Sequence, residues 1–294
     1  MRIYVKVALV AAFSIVILHT IYNLHMKQQS KTSIVENRTV SHDLAKAKSD
    51  LTTKIVTLTS TDKAHYAVYI DFLDGEEPIV YHSQQMRSAS MIKVFILAAA
   101  LEEENNGLIN GKQKVILKEA MKVGGAGVLN GAKEGTPFSV NQLLELMITE
   151  SDNTATNIII DLIGMNKINQ YIQKEGYHDT VLQRKMMDFT AVKNGLENYT
   201  TVKDLGNFFK KVYYHKCINN TYDDMILDIL SKQTDTECFP AALPKYKIAH
   251  KTGELDGLYD DGGIVYATGA DYIICIMNDG IENRVTTMNI MKEI

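Results

Sequence analysis

Residues 90–104 read Ser-Met-Ile-Lys-Val-Phe-Ile-Leu-Ala-Ala-Ala-Leu-Glu-Glu-Glu, and the predicted fold is built around this stretch. The apolar run has helical length, becomes polar at Glu102 and ends near Gly107, so it predicts a buried helix. Ser90 falls in the first turn, beside unpaired backbone N–H groups and the positive end of the helix dipole. Lys93 follows on the same face, among apolar neighbours that can lower its pKa enough for it to take the Ser90 proton. The alternative is that Ser90 only caps the helix and Lys93 lies at the surface.

A second polar string, Ser151-Asp152-Asn153, stands between two apolar segments. Residues 140–148 have the spacing of an amphipathic helix and residues 157–163 are largely apolar, so the string is predicted on a tight connection between two core helices. Short polar side chains there can bond to nearby backbone and hold a fixed geometry. Taken alone, the string could equally be a capping turn.

A third string, Lys251-Thr252-Gly253, begins a series of strand-like segments that continues through residues 263–266 and 272–277. The pattern predicts an edge or near-edge strand of an antiparallel meander. Lys251 offers a positive charge for a substrate carboxylate, Thr252 offers a hydroxyl, and Gly253 lets another backbone approach closely.

The three strings, in this order, resemble the S-x-x-K, S-D-N and K-T-G motifs of class A β-lactamases and penicillin-binding proteins. A second Ser-x-x-Lys, from Ser60 to Lys63, lies in a polar, Thr-rich stretch with no apolar run behind it, and we attribute it to chance. The resemblance extends from about residue 42 to the end of the sequence.

This resemblance implies roles for individual residues. Ser90 is the expected nucleophile, Lys93 the base that activates it directly or through water, and Ser151 a proton relay. The backbone N–H groups of Ser90 and Glu254 are expected to form an oxyanion hole, and the acidic side chain of Glu254 bears on substrate preference. The residues implied in substrate binding are Asn153, Lys251, Thr252, Gly253 and, through its backbone, Glu254.

Two loops extend the resemblance, and the second departs from it at one position. Residues 124–129, Gly-Gly-Ala-Gly-Val-Leu, resemble the Gly-rich loop over the cleft, and residues 182–184 resemble the entry to an Ω-shaped loop. In class A β-lactamases a glutamate two residues after this arginine orients the water that releases the acyl group, but here the position is Met186. Asp188 is the nearest carboxylate and the candidate replacement. The spacing of Glu197 predicts an ion pair with the arginine that closes the neck of the loop.

The predicted fold class is α/β (α+β). Strands at residues 66–72 and 79–82, a helical middle from residue 91 to about 230, C-terminal strands and a closing helix at 284–294 suggest one antiparallel sheet formed from both chain ends. We expect helices packed on this sheet plus a helical lobe. The resemblance implies a serine β-lactamase/transpeptidase-like fold with the cleft between them.

Composition excludes several other classes. The chain has 294 residues, 46% of them hydrophobic, and a net charge of -4 with scattered lysines, which disfavours a nucleic-acid partner. The eight histidines and three cysteines show no metal-ligand spacing, so we expect no metal and no cofactor. Cys217 and Cys238 could pair in an exported protein, leaving Cys275 as a buried thiol. We expect a monomer.

The N-terminal segment predicts the location. Residues 1–22 carry basic residues followed by an apolar run, without the small residues of a cleavage site, so a signal-anchor is favoured over a cleaved signal segment. The basic N-terminus predicts a single-pass protein of the cell membrane with its catalytic part outside the cytoplasm, and secretion after cleavage is the alternative. Residues 23–41 are polar, as in a tether, and residues 42–294 form the predicted catalytic domain.

Together these patterns predict a β-lactam-hydrolysing serine hydrolase of the class A β-lactamase type that acts through a Ser90 acyl-enzyme. Its expected substrate is a β-lactam or a peptidoglycan-like acyl compound. Two alternatives remain open: a D-alanyl-D-alanine peptidase or esterase, and a penicillin-binding sensor or decoy that is acylated without turnover.

Overall fold

The computed structural model describes residues 45–294. The described residues fall into two units, 45–53 and Lys54–Ile294. Residues 45–53 of the first unit are helical, and the second unit begins with helical residues 54–59 (α1). The predicted signal-anchor, residues 1–22, and the predicted tether, residues 23–41, lie outside the described residues. From residue 45 onward, no helix has both the length and the apolar character needed to cross a membrane.

The larger unit is built on a five-stranded antiparallel sheet. Its strands are β1 (His65–Asp71), β2 (Ile79–Tyr81), β7 (Lys247–Leu255), β8 (Leu258–Tyr266) and β9 (Tyr272–Asp279). They lie side by side in the order β2-β1-β9-β8-β7. Four short strands form two further antiparallel pairs: β3 (Met86–Arg87) with β6 (Tyr199–Thr200), and β4 (Lys114–Ile116) with β5 (Pro137–Ser139). The predicted sheet formed from both chain ends is therefore confirmed.

The helical middle of the chain supplies most of the remaining elements. These helices are α2 (Lys93–Asn105), α3 (Val140–Thr149), α4 (Asn153–Ile163), α5 (Met165–Lys174), α6 (Phe189–Lys193), α7 (Val202–Tyr213), α8 (Asn220–Leu230), α9 (Phe239–Ala242) and α10 (Arg284–Glu293). Helix α7 packs on β1, β8 and β9, and α8 contacts β7. The α+β architecture predicted from the segment order is confirmed.

Helix α2 lies at the centre of the helical part because it is apolar on every side. All of its residues from Lys93 to Leu101 are buried, and it contacts α3, α4, α5 and α8. A helix that is apolar all round is stable only inside a core. The sheet contributes alternate residues to the same core: Ile273, Cys275 and Met277 of β9 belong to it, as expected for the twofold period of a strand.

The suggested disulfide between Cys217 and Cys238 is not formed. All three cysteines are free and buried. Cys217 precedes α8 and contacts the Tyr171 hydroxyl at 3.3 Å, whereas Cys238 lies at the N-terminus of α9. The two thiols belong to different local environments, and each is packed in the interior without a cross-link.

Candidate active site

The predicted nucleophile lies in a tight turn and not in the α-helix itself. Residues Ala89–Ile92 form a 3₁₀ turn, and α2 begins at Lys93. Ala89 has a φ of 42°, a left-handed conformation that costs a residue with a side chain about 1–2 kcal/mol. Such strain often accompanies a functional constraint. Ser90 itself is partly exposed, and within residues 45–294 its hydroxyl makes no hydrogen bond.

The Lys93 amine is fully buried and lies against the second string. Its Nζ is 2.6 Å from the Ser151 carbonyl oxygen, 3.2 Å from Ser151 Oγ and 2.9 Å from Asn153 Oδ1. Burial lowers the pKa of Lys93 well below its ordinary value, the nearby charge of Lys251 lowers it further, and Asp152 opposes the shift. A neutral amine has a free lone pair, so Lys93 is suited to accept a proton.

A single hydroxyl, that of Ser151, lies between the two buried lysines. Ser151 Oγ is 3.2 Å from Lys93 Nζ and 3.1 Å from Lys251 Nζ. Ser151 adopts a φ of 50°, which turns the chain sharply between α3 and α4. The arrangement gives a continuous path of hydrogen-bonding groups from one amine to the other, as a proton relay requires.

Lys251 is also fully buried but has a different electrostatic environment from Lys93. Its Nζ donates to the Thr252 carbonyl oxygen at 2.6 Å. Burial lowers the pKa of Lys251 to about 8, and the negative charges of Asp235 and Asp261 limit the fall. Lys251 therefore keeps its positive charge through neutral pH, as a carboxylate anchor must.

The Gly-rich loop packs directly on the second string. Asp152 Oδ2 accepts hydrogen bonds from the backbone N–H groups of Val128 and Leu129, both at 2.7 Å, while its Oδ1 caps α4. Asn153 Nδ2 donates to the carbonyl oxygen of Gly124 at 3.1 Å. Asp152, for which the sequence predicted no individual role, therefore fixes this loop to the cleft together with Asn153.

Glycine is required in this loop where it approaches Asn153. Gly125 has a φ of 79°, and a Cβ there would lie 2.6 Å from Asn153 Nδ2 and 2.9 Å from Met187 Sδ. Any side chain at this position would push the loop away from the predicted substrate-binding amide.

The third string lies on β7, at the edge of the sheet, beside the nucleophile turn. A Cβ on Gly253 would lie 3.2 Å from Ala89 Cβ and 3.1 Å from Met91 Cγ, so a side chain there would press on the nucleophile turn. Thr252 is nearly buried, and Glu254 follows with an exposed side chain. An edge strand leaves alternate backbone groups unpaired, so it can offer them to a substrate.

Within this strand the structure reveals a buried contact between a histidine and an aspartate that the sequence did not predict. His250 Nδ1 lies 2.8 Å from Asp261 Oδ1, and Asp261 Oδ2 accepts the Phe239 backbone N–H at 3.1 Å. Asp261 faces Thr252 across the β7–β8 ladder. The pair links the strand that carries Lys251 to the start of α9.

Met186 occupies the interior position at which the resemblance places a glutamate. The residue is 7% exposed, and Asn157 holds its backbone on both sides: Nδ2 donates to the Met186 carbonyl at 3.0 Å and Oδ1 accepts its N–H at 2.8 Å. Asn157 lies one turn after Asn153 on the same face of α4, a spacing that could have identified it. The position is thus rigid and buried, but it carries no ionisable group.

Asp188 is not brought into this network. Its side chain is exposed and accepts the Ala191 N–H at 2.9 Å, capping α6. The catalytic role assigned to Asp188 stays a prediction.

The predicted ion pair at the neck of the Ω-like loop is present. Arg184 Nε lies 2.7 Å from Glu197 Oε1, with both side chains largely buried. Asn198, which the sequence analysis missed, accepts the N–H groups of Gln183 and Arg184 at 2.8 and 3.0 Å. Because these contacts join the two ends of the loop, they fix the position of Met186 between them.

Comparison with known proteins agrees with this geometry. The model of the β-lactamase enzyme family matches residues 48–294. A β-lactamase from Streptomyces fradiae is 26% identical over 206 residues, which are 63% of this chain and 63% of that protein. The extended-spectrum β-lactamase PER-1 from Pseudomonas aeruginosa is 25% identical over 199 residues and 65% of each chain. The chain thus spans slightly less than two thirds of the length of these relatives.

Solved structures give the same fold. A mutant of PBP-A, solved as an acyl-enzyme complex with penicillin G, is 28% identical and superposes with a TM-score of 0.77 over 83% of this chain and 93% of that one. The match to the family model covers the sheet, the nucleophile turn and all three motif strings. On this evidence the chain belongs to the β-lactamase enzyme family.

Proposed function

We propose that this protein is a serine hydrolase that β-lactams acylate at Ser90, with acylation faster than the release of the acyl group. The observation that carries the proposal is the position of Ser151 Oγ, within 3.2 Å of one buried lysine with a strongly lowered pKa and 3.1 Å of another with a pKa near 8. Because the two amines differ in basicity and both lie within hydrogen-bond distance of the Ser151 hydroxyl, this hydroxyl can carry a proton away from Lys93 after Lys93 has accepted it.

In the acylation step, Ser90 Oγ attacks the lactam carbonyl carbon and its proton passes to the Lys93 amine, directly or through water. The backbone N–H groups of Ser90 and Glu254 stabilise the oxyanion. The lactam C–N bond then breaks, and the proton returns to the leaving nitrogen from Lys93 through Ser151. The product is one acyl-enzyme, in which Ser90 carries the ester and the protonated former lactam nitrogen remains attached to the opened ring, and Lys251 holds the substrate carboxylate throughout.

Release of the acyl group requires a water molecule to attack the Ser90 ester. Met186 supplies no general base at the position where class A enzymes have one, and Asp188 caps α6 from an exposed site. General-base assistance is typically worth about 10²- to 10⁴-fold in rate, so its loss makes deacylation the slow step. The acyl-enzyme of the related PBP-A with penicillin G supports acylation of the same kind here.

The same geometry also supports the peptidase alternative. A D-alanyl-D-alanine peptide presents an amide carbonyl and a terminal carboxylate, which Ser90 and Lys251 would bind in the same way. We further propose that the catalytic unit acts outside the cytoplasm, on the basis of the basic and apolar pattern of residues 1–22.

The proposal is tested by covalent labelling with a fluorescent penicillin. Ser90→Ala should abolish labelling, whereas Ser60→Ala, in the other Ser-x-x-Lys string, should leave it intact. Stopped-flow hydrolysis of a chromogenic cephalosporin should show a burst of one equivalent followed by a much slower steady state. Labelling that survives in the Ser90 variant would remove both the nucleophile assignment and the proposed reaction.

A further inference from the structure

The contact between His250 and Asp261 lies beside Lys251, and the proposed reaction does not use it. Both residues are almost completely buried. Asp261 on β8 pairs with Thr252 on β7, the residue that follows Lys251. Paired residues of antiparallel strands share a face of the sheet, and so do residues two apart along one strand, so His250, Thr252 and Asp261 lie on one face. Lys251 lies between the first two in sequence and within reach of the charge on Asp261.

Both carboxylate oxygens of Asp261 have hydrogen-bond partners. Oδ1 lies 2.8 Å from His250 Nδ1, and Oδ2 accepts the Phe239 N–H at 3.1 Å. A carboxylate accepts at both oxygens and a neutral imidazole donates from one ring nitrogen, so the arrangement fits an ionised Asp261 with a proton on Nδ1. Hydrogen bonds of this kind favour the charged form of a buried carboxyl group. The neighbouring Asp260 is equally buried, but its Oδ2 has no partner among residues 45–294.

Lys251 depends on charges that it does not touch. Its fully buried Nζ contacts two neutral oxygens, the Thr252 carbonyl at 2.6 Å and Ser151 Oγ at 3.1 Å, and it makes no ion pair within the part of the chain that the structure describes. Burial lowers the pKa of Lys251 to about 8, and the negative charges of Asp235 and Asp261 oppose this fall. Without these charges, burial would neutralise the amine at a lower pH.

The other acidic groups around Asp261 favour their neutral forms, because burial raises the pKa of each of them above its ordinary value. They are Tyr259 and Asp260 of β8, Cys275 of β9 and Cys238 before α9. Among the basic groups, Lys93 of α2 interacts with Lys251, and Lys292 of α10 acts on the Cys238 thiol. Asp235 and Asp261 are therefore the carboxylates that hold the charge on Lys251.

We propose that Asp261, held in place by His250, is a positioning residue that keeps Lys251 charged and so sets the highest pH at which β-lactams with a carboxylate acylate Ser90 rapidly. This inference rests on the proposed acylation of Ser90. It gives the buried histidine a defined task, which is to donate from Nδ1 and keep the carboxyl group of Asp261 ionised.

The test measures the second-order rate at which benzylpenicillin acylates the full-length protein, from neutral to alkaline pH. The native rate should fall above pH 8, where Lys251 loses its proton. Asp261→Asn should move this fall to lower pH by about one unit, the lower end of the effect of a nearby opposite charge, and reduce the rate at pH 8 by about fivefold. The pH of the fall does not depend on how much of a variant is folded.

Two substitutions of the histidine separate its hydrogen bond from its shape. His250→Asn places an amide nitrogen where Nδ1 lies and should keep the native pH profile. His250→Phe fills the space without a donor and should move the fall in the same direction as Asp261→Asn does. If Asp261→Asn does not fold, the difference between these two variants decides the question.

Two further variants show whether the effect passes through Lys251. In a Lys251→Arg background, Asp261→Asn should leave the alkaline rate unchanged, because arginine stays charged at these pH values. Asp260→Asn, at the adjacent and equally buried position, should leave the pH of the fall unchanged.

The inference would be overturned by a native pH profile in Asp261→Asn or His250→Phe. An equal shift in Asp260→Asn would do the same, as would a shift by Asp261→Asn that persists in the Lys251→Arg background. Failure of the proposed function has a different signature, because benzylpenicillin would then not acylate Ser90 of the native protein at any pH.

Discussion

Lys93 and Lys251 are both fully buried, yet the site needs one neutral and one charged amine. Lys93 faces a carbonyl, a hydroxyl and an amide oxygen, and the negative charge of Asp152 opposes the fall in its pKa. Two carboxylates, Asp235 and Asp261, limit the fall in the pKa of Lys251. Because fewer acidic groups lie near Lys93 than near Lys251, Lys93 has the lower pKa and is suited to act as the base, while Lys251 stays charged and is suited to bind the substrate carboxylate.

This difference predicts the pH dependence of acylation. Neutral Lys93 is present above its lowered pKa, and charged Lys251 is present below its pKa of about 8. The second-order acylation rate should therefore rise with pH, reach a plateau and fall above pH 8. Lys251→Arg keeps the charge at all these pH values and should remove the alkaline fall. A fall that persists unchanged in this variant would assign it to another group.

Met186 offers a second test at the scale of one residue. Because Asn157 bonds to both the N–H and the carbonyl group of Met186, a new side chain at this position should point in the same direction as the methionine side chain does. Met186→Glu should raise the steady-state hydrolysis rate by about 10²-fold, the lower end of general-base assistance, and change the burst much less. Pre-steady-state and steady-state rates with one chromogenic cephalosporin measure both effects.

Asp188→Asn is the matched control for that experiment. Asparagine caps a helix as well as aspartate does, so α6 should remain intact. Unchanged turnover would show that Asp188 only caps the helix, whereas a fall of tenfold or more would give it the catalytic role predicted from the sequence. If the native protein hydrolyses the cephalosporin rapidly in the steady state, and Asp188→Asn does not slow this hydrolysis, the proposal that release of the acyl group is the slow step is contradicted.

At the scale of elements, strand β8 carries two adjacent buried aspartates, Asp260 and Asp261, whose carboxylates differ in their hydrogen-bond partners. Asp261 Oδ1 contacts His250 Nδ1, whereas Asp260 is fully buried: its Oδ1 accepts the Asn278 N–H at 3.0 Å, and its Oδ2 has no hydrogen-bond partner among residues 45–294. Burial raises the pKa of Asp260 well above its ordinary value. The folded protein therefore keeps this carboxyl protonated when the unfolded chain would ionise it.

Asp260→Asn should stabilise the protein, and more so at neutral than at acidic pH. Below the unfolded pKa of about 3.9, Asp260 is protonated in both the folded and the unfolded state, so its ionisation does not change the free energy of unfolding. As the pH rises from there towards the folded pKa, the native protein loses up to about 1.4 kcal/mol per pH unit, and the variant does not. Urea unfolding of both proteins at acidic and neutral pH measures this, and a stability difference that is constant with pH would contradict it.

The elements that the sequence predicted well are those with a long local pattern. Helix α2 is a continuous apolar run, and α3 has amphipathic spacing over its whole length. Strand β9 was predicted over most of its length, whereas β8, Leu258–Tyr266, was predicted only over residues 263–266. The strands β3 to β6 have only two or three residues each and carry no such pattern. The 3₁₀ turn before Lys93 was also missed, because the apolar run alone predicts a continuous helix.

At the scale of the whole molecule, the motif strings were predictable but the contacts between distant segments were not. Asn157 meets Met186 across 29 residues of sequence, and the Asp152 carboxylate meets Val128 across 24. Such pairs depend on how helices and loops pack, which no local pattern records. The pairing of Arg184 with Glu197 was the exception, because opposite charges at the two ends of one loop suggested it.

The whole molecule is expected to be held at a membrane by its N-terminal segment. Residues 3–21 are mostly apolar and include Lys6, which can snorkel, and a stretch of about 19 residues is long enough to span a bilayer. The full-length protein should therefore remain with membranes after salt and carbonate washes. A charge at the centre of this segment, Ala12→Arg, opposes insertion by about 2.5–3.5 kcal/mol and should release protein into the soluble fraction, while Ala12→Leu should not. A soluble native product whose sequence starts near residue 25 would show instead that the segment is a cleaved signal.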